Sequence, residues 1–353
     1  SNLYEIPLQT SLAEKLCARS GMDKVFFGNS GAEANEAAIK IARLHGNNQG
    51  IKEPTVVVME GSFHGRTMAT LTATGNRKVQ AGFEPLLKGF IRAPYGDLGA
   101  LQTIAGNNNQ VVALMLEPIQ GEGGIIVPEK GYLKHVRELC DKNGWLMIAD
   151  EVLTGLGRTA KMWAVEHYDV VPGILVPGKN MSAGVQPGAG VAARDDILGD
   201  NPRATAGSTF AGTPAGCAAC LKTLEIYERD NILGHAGELA AIAAERMATW
   251  EARYGIVSQV RSLGLLMGVS FAGESKPGEE FFAARAVRHE MLRRGVWAIC
   301  DNQAQVRMYP ALNMPPETLI EGLDIMEAAI ETVERHGPTI GDYPPMPSGN
   351  VGF

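Results

Sequence analysis

Short apolar runs, each bounded by Gly, Pro or charged residues, recur from Val25 onward. They are Val25-Phe26-Phe27, Thr55-Val56-Val57-Val58-Met59, 111–116, Trp145-Leu146-Met147-Ile148-Ala149 and Gly173-Ile174-Leu175-Val176. Continuous runs of this length predict strands buried on both faces, as in a parallel sheet. Between them the apolar spacing lengthens to that of a helix. Ile6, Leu8, Leu12, Leu16 and Cys17 predict a helix over 5–18, Ala37 to Ala42 continue one that opens near Ser30, and a third covers 132–142. Strand and helix alternate from Val25 to Val191, which predicts an α/β fold: a large domain with a mostly parallel central sheet flanked by helices.

From about Asn231 the texture changes. An Ala-rich helix over 235–253 leads to apolar segments at 257–261 and 265–271. A helix (278–294), a strand (Val296 to Ile299), the segment 305–310 and a last helix (315–336) follow. This reads as a smaller C-terminal α+β domain over 231–337, after a large domain over 1–230. Residues 338–353 hold Pro and Gly without periodicity and read as a surface tail. There is no internal repeat.

The chemistry sits at the strand ends. Ligands of open α/β sheets bind beyond the carboxyl ends of the strands. Asp150 follows the run 145–149, and Lys179 follows the run ending at Val176 and Pro177. A carboxylate and an amine then face one crevice. A structural ion pair is the commoner meaning of such a pair. The alternative is a pyridoxal phosphate site, in which the lysine forms a Schiff base with the cofactor and the acid pairs with the ring nitrogen. A carboxylate there favours the protonated ring, which is the electron sink. The two residues alone leave both readings open. Gly173 to Asn180 also imitates a P-loop, but Asn180 stands where a Ser or Thr must hold Mg²⁺, and the intervening Ile, Leu, Val and Pro read as strand.

Other strand ends add to the crevice. Gly28 to Glu36 is a small-residue turn opening a helix, with Ser30 and Glu33 spaced as a capping box. Such a helix start is an anion site or simply a capped helix. Phe63 and Arg66 follow the second strand: core packing and a surface charge, or contacts to a flat cofactor and a substrate carboxylate. Glu117 to Gly124 carries two acids and three glycines, in the manner of an active-site loop. Gly207 to Pro214 is a polar turn before a helix over 214–229, and its hydroxyls suit a cap or a phosphate.

Composition narrows the setting. The chain has 353 residues, 45% of them hydrophobic, enough for two cored domains. A net charge of −7 with mixed signs argues against a nucleic-acid surface. No apolar run approaches the roughly 20 residues that span a bilayer. No signal peptide is evident, and a cytoplasmic protein is expected. Ser1-Asn2-Leu3-Tyr4 reads as the middle of a protein. The cysteines (17, 140, 217, 220 and 300) are sparse and odd in number, as in a reducing compartment. Cys217 and Cys220 form a C-x-x-C with no second pair, in an Ala-rich helical pattern, and read as buried thiols. No metal site is expected.

Together these motifs resemble the class III aminotransferases among the fold-type I pyridoxal phosphate enzymes, on the branch of the acetylornithine and ornithine aminotransferases. The resemblance is carried by Ser1-Asn2-Leu3-Tyr4, Asn29-Ser30-Gly31-Ala32-Glu33-Ala34-Asn35-Glu36, Phe63-His64-Gly65-Arg66-Thr67, Glu117-Pro118-Ile119-Gln120-Gly121-Glu122-Gly123-Gly124, Asp150-Glu151-Val152, Thr154-Gly155-Leu156-Gly157-Arg158-Thr159, Gly178-Lys179 and Gly207-Ser208-Thr209-Phe210. It covers most of the chain and implies that the family's N-terminal segment is absent here.

The resemblance implies roles. Lys179 is the Schiff-base lysine and proton shuttle, and Asp150 partners the pyridine nitrogen. Phe63 and Val152 sandwich the ring. Ser30, Gly31 and Ala32 hold the phosphate, while Ser208 and Thr209 contribute to cofactor binding, Thr209 reaching the phosphate of the partner subunit in a homodimer. Arg307 binds the substrate α-carboxylate, Arg66 the distal carboxylate of 2-oxoglutarate, and Tyr4 joins the substrate site. Glu122 gates Arg307, and Glu117 stands behind the site. The implied reaction moves the ω-amine of acetylornithine, ornithine or a similar ω-amino acid to 2-oxoglutarate. Neither nucleic acid nor membrane is involved.

Departures also appear. Leu153 stands where the branch carries a Gln that hydrogen-bonds near the cofactor's phenolic oxygen, and leucine cannot. Ala160 replaces a glycine, and Asn180 and Thr213 are unusual. Three alternatives therefore remain: a 4-aminobutyrate or other ω-amine transaminase, a class III racemase or decarboxylase with the same cofactor, and a non-catalytic binding or scaffold protein.

Overall fold

The computed structural model describes residues 4–199, 207–272, 283–300 and 305–337. Ser1 to Leu3, the start of the helix expected at 278 and the tail over 338–353 lie outside the described residues. The chain divides into two compact units between Ile232 and Leu233.

The first unit is built on a seven-stranded sheet: β1 (Lys24–Gly28), β2 (Thr55–Met59), β3 (Phe90–Ala93), β4 (Val111–Leu116), β5 (Leu146–Glu151), β6 (Ile174–Pro177) and β7 (Ala189–Ala193). The order is β1-β7-β6-β5-β4-β2-β3. Neighbours from β3 through β6 are parallel, and β7 runs antiparallel to both β1 and β6. The expected mostly parallel, helix-flanked sheet is the one observed.

Alternation along each strand explains the continuous apolar runs. Val57, Met59, Leu114, Leu116, Met147, Ala149 and Leu175 enter the core on one face. Val56, Val58, Met115, Ile148, Ile174 and Val176 enter the core on the other. Helices cover both faces, so neither set of side chains meets water.

Helix α1 (Pro7–Ser20) starts two residues later than the apolar spacing predicts. Pro7 sets the first turn, where its missing N–H costs nothing. It ends at Gly21, whose left-handed φ of 69° lets its N–H reach the Cys17 carbonyl. Helix α2 (Gly31–Asn48) starts after Ser30 and lies on the second face, with Ala34, Ala38, Ile39, Ile41 and Ala42 buried. Ile174–Pro177 is strand and not a phosphate loop, as its apolar residues predict. Cys217 and Cys220 are buried free thiols on the helix Pro214–Arg229.

Two elements had no apolar signature. β3 is an edge strand whose Phe90, Ile91 and Arg92 are only half-buried. The helix Leu98–Asn107 buries only Leu101 and is fixed by Asp97, whose side chain accepts from the Ala100 N–H at 2.9 Å.

The second unit holds an antiparallel sheet of β8 (Val257–Leu263), β9 (Leu266–Phe271) and β10 (Gln305–Met308), in the order β10-β9-β8. The helix Ala283–Arg293 packs on β9 and β10, and Pro316–His336 packs on that helix. Two expectations are corrected here. Residues 235–253 are not one helix: Ile232–Met247 ends in a tight turn, Ala248 N–H to Glu245 carbonyl, before Trp250–Arg253 begins. Val296 to Ile299 is not a strand but a single bridge, Ile299 to Arg307. Trp297 is 65% exposed, so this segment has no second face to bury. No helix among the described residues is long and apolar enough to cross a membrane.

Gly46 shows how closely α2 is seated. A Cβ there would lie 2.3 Å from Val112 Cγ1 on β4. Gly46→Ala is expected to cost about 1–3 kcal/mol by overpacking, offset in part by about 1 kcal/mol of helix propensity. The thermal midpoint should fall, and adding Val112→Ala should restore part of the loss. An unchanged midpoint in the single variant would mean that Val112 moves aside freely.

Candidate active site

The site is assembled where β1, β2, β4, β5 and β6 give way to turns. At the start of α2 the Ser30 hydroxyl accepts from the Glu33 N–H at 3.2 Å. The Glu33 carboxylate reaches back to the Asn29 N–H at 2.7 Å. The expected capping box therefore closes one residue earlier than its usual form, on Asn29 rather than Ser30. The result is a fixed helix N-terminus whose first-turn amides and dipole favour an anion.

Val152 joins this helix start to β5 and β6. A Cβ on Gly31 would lie 2.6 Å from Val152 Cγ1, and a Cβ on Gly178 would lie 3.0 Å from the same methyl. The bare backbones of these two glycines leave room for Val152 where the α2 start, the β5 end and the turn after β6 come together. Lys179 opens that turn (Lys179–Ser182) and is exposed. Its φ is 38°, a left-handed conformation unusual outside glycine and of the kind held in place at functional sites.

Asp150 is 3% exposed and surrounded by donors. Its Oδ2 accepts from Asn35 Nδ2 and from His64 Nδ1, each at 2.7 Å, and its Oδ1 accepts from the Val152 N–H at 3.0 Å. Asn35 also donates to the His64 carbonyl at 2.8 Å. Next door, Glu151 points to the opposite face of the sheet. It accepts from Thr154 Oγ1 (2.5 Å) and from the N–H groups of Ala164 (3.0 Å) and Val165 (2.9 Å). Burial pushes its carboxyl up to about 7 against these bonds.

Glu117 organises the loop after β4. Its two oxygens accept from the N–H groups of Phe63 (3.0 Å) and Gly121 (3.2 Å). Burial pushes it up to about 7; nearby His64 and the two donors oppose this, and Asp150 adds to it. Tyr95 Oη donates to the Glu117 and Pro118 carbonyls at 3.0 and 2.9 Å. Leu153, in the turn after β5, packs against this loop: a Cβ on Gly121 would fall 1.9 Å from Leu153 Cδ2. The Arg66 guanidinium carbon sits 5.7 Å from the centre of the Phe63 ring.

The first unit thus brings together Ser30, Gly31, Ala32, Phe63, Arg66, Glu117, Asp150, Val152 and Lys179 at the ends of its strands. Ser208 joins them through its hydroxyl, which accepts from Asn29 Nδ2 at 2.8 Å. Glu122 is half-buried in the loop after β4, while Thr209 and Tyr4 are exposed. Arg307 lies in the second unit, on β10 opposite Gly268.

Two residues received no role from the sequence: Asn35 and His64, both buried. The signal for Asn35 was a single polar side chain in the Ala- and Ile-lined stripe of α2, which a buried amide can occupy only with partners. His64 gave no separable signal beside Phe63 and Arg66.

Two expected outcomes follow from this packing and burial. Gly31→Ala should weaken anion or cofactor binding at α2 by about 10- to 100-fold, the equivalent of 1–3 kcal/mol of overpacking, and Gly31→Ala with Val152→Ala should recover much of it in a binding titration. Glu117 and Glu151 keep a proton when folded at a pH where the unfolded chain has lost it. Their contribution to stability is therefore complete below 4.5 and is lost as pH rises through about 7. Between about pH 5 and 8 the thermal midpoint should fall less steeply in Glu117→Gln than in the wild type.

Known proteins share this architecture. Residues 1–330 match the family model described as aminotransferase class-III. The acetylornithine aminotransferase of Nitrosomonas europaea is 46% identical over 314 residues, covering 89% of this chain and 77% of the relative. That of Thermosynechococcus vestitus is 38% identical over 339 residues, covering 94% of this chain and 80% of the relative. Among solved structures, the ornithine aminotransferase of Toxoplasma gondii superposes with a TM-score of 0.87 at 28% identity, over 94% of this chain and 78% of that one. The acetylornithine aminotransferase of Elizabethkingia anophelis gives a TM-score of 0.80 at 30% identity, over 94% and 80%. The resemblance carried by the motifs is borne out: this chain belongs to the class III aminotransferases, enzymes that depend on pyridoxal phosphate.

Proposed function

We propose that this enzyme transfers the ω-amine of acetylornithine, or of ornithine as a second donor, to 2-oxoglutarate. The observation that carries the reading is the convergence of the Lys179 turn, the Asp150 carboxylate and the α2 start on Val152. The donor choice is supported by the names of the relatives. A cytoplasmic role in arginine biosynthesis goes with that substrate.

The residues of the first unit fit pyridoxal phosphate. The α2 start, with Ser30, Gly31 and Ala32, would hold its phosphate. Phe63 and Val152 would bound its ring, and Asp150, an acceptor toward three N–H donors, would take the ring N–H as well. When bound, the cofactor supplies an aldehyde for the amine and a ring that takes up electron density.

The chain's own groups then do the rest. Lys179 Nζ would hold the cofactor and, released by the donor, move the proton at the substrate's reacting carbon as base and then as acid. Arg66 and Arg307 would orient the carboxylates of the two substrates through paired N–H bonds. Glu122 would pair with Arg307 when the amine is distal. Thr209 would reach the partner subunit's phosphate, which makes a homodimer the active unit. In this reading the residues up to Ile232 are the cofactor-binding domain and the second unit is the small domain of the family.

The racemase and decarboxylase alternatives are not favoured, because the relatives that match over most of the chain are aminotransferases. The decisive experiment follows the visible absorbance of cofactor-loaded protein on adding acetylornithine, ornithine or 4-aminobutyrate. Loss of the long-wavelength band with acetylornithine, reversed by 2-oxoglutarate, is the expected result. A faster response to 4-aminobutyrate would overturn the donor assignment. Lys179→Ala should lower turnover by about 10²–10⁴-fold or more, the usual contribution of a positioned proton-transfer group.

A further inference from the structure

Asn35 and His64 are polar, almost fully buried, and separated by 115 and 86 residues from the group they contact. Both converge on one atom, Asp150 Oδ2, at 2.7 Å. The Asn35 amide has no freedom to turn over. Its Nδ2 donates to Asp150 Oδ2 and to the His64 carbonyl, so both hydrogens are used, and a flipped amide would set oxygen against two oxygens. His64 is held from both sides of its backbone. Its carbonyl accepts from Asn35, and its N–H donates to Thr74 Oγ1 at 3.0 Å. Thr74 is anchored in turn, its hydroxyl donating to the Thr70 carbonyl at 2.9 Å.

A carboxylate turns about its Cβ–Cγ bond over a broad range unless something holds it. Here two donors fix Oδ2, and the Val152 N–H fixes Oδ1. Of about four lone-pair positions on the carboxylate, three are engaged, and the remaining one is on Oδ1. Packing alone does not account for the pair. Asn35 Oδ1 and His64 Nε2 are buried without a hydrogen-bond partner, a cost that apolar side chains of similar size would avoid. Each side chain tolerates an unsatisfied atom while its donor serves Asp150.

We propose that Asn35 and His64 are positioning residues of the transamination: together they lock the Asp150 carboxylate so that one lone pair of Oδ1 is presented to the ring nitrogen of the cofactor. This rests on the reading of Asp150 as the partner of that nitrogen. Neither residue touches substrate or cofactor in this scheme. Each acts through the orientation of Asp150.

The test uses the cofactor-loaded enzyme and the variants Asn35→Leu, His64→Leu, His64→Asn and Asp150→Asn. Each is read for cofactor dissociation constant, for the position and pH midpoint of the visible band, for kcat and KM with acetylornithine, and for the thermal midpoint of the cofactor-free protein. Losing a hydrogen bond to a charged group should lower kcat about 10- to 100-fold in His64→Leu and Asn35→Leu, with cofactor affinity falling in step and KM for the donor changing less than about threefold. The visible band should shift in both. His64→Asn, whose Nδ2 takes the place of Nδ1, should restore most of kcat and the band. If Asp150→Asn loses band and turnover while both leucine variants keep them, the positioning role is overturned and the Asp150 reading stands. If Asp150→Asn keeps them, the Asp150 reading itself falls. If His64→Asn restores the thermal midpoint but not kcat or the band, the donor to Asp150 is not what His64 supplies to the reaction and the proposal is overturned.

Discussion

The contact on which the site depends is the wedge of Val152 between Gly31 and Gly178. It is a small contact, two methyl groups against two bare backbones. Yet it fixes the distance between the α2 start, the end of β5 and the turn after β6. Interiors packed to the density of organic crystals transmit such constraints without slack. Strand pairing carries the constraint further. β5 and β6 align Asp150 with Val176 and Glu151 with Pro177, so the sheet delivers an acid and, two residues past its last pair, a lysine. The left-handed turn at Lys179 is then closed by the Met181 N–H on the Gly178 carbonyl at 3.0 Å.

The neighbouring acids Asp150 and Glu151 show how strand alternation divides labour. Successive side chains of β5 point to opposite faces. Leu146, Ile148 and Asp150 face α2, where Asn35 waits; Met147, Ala149 and Glu151 face the other core. Glu151 is spent on structure, tying the chain at Thr154, Ala164 and Val165 to the sheet. A one-residue slip of register would exchange the two acids and leave each in the other's environment.

Much of this could be read from sequence because the strands are buried on both faces, so their apolar runs are unbroken, and because caps and turns are local. β2 and the helix Pro214–Arg229 fall where the pattern places them. What the pattern missed has two physical causes. β3 is a half-buried edge strand and the helix Leu98–Asn107 buries only Leu101, so their periodicity carries little signal. Asn35 and His64 owe their roles to a partner far along the chain, and a single sequence displays residue types but not distant partners. The motif names Val152 as the residue proposed to bound the cofactor ring. Its role as a wedge appears only with the glycines that receive it.

Leu153 illustrates the difference between a departure in sequence and a defect in structure. Its Cδ2 occupies the space that any side chain at position 121 would need. Leucine and glycine therefore fit as a pair, and the leucine packs against the loop that carries Glu117 and Glu122. An amide in this place would bring polar atoms against that backbone and would need partners for them. An apolar side chain needs none, and the Glu117 carboxyl beneath the loop is one that burial holds near 7. Asp150 is secured independently, by Asn35, His64 and the Val152 N–H. The substitution at 153 thus acts on the loop after β4 and leaves the hold on Asp150 intact.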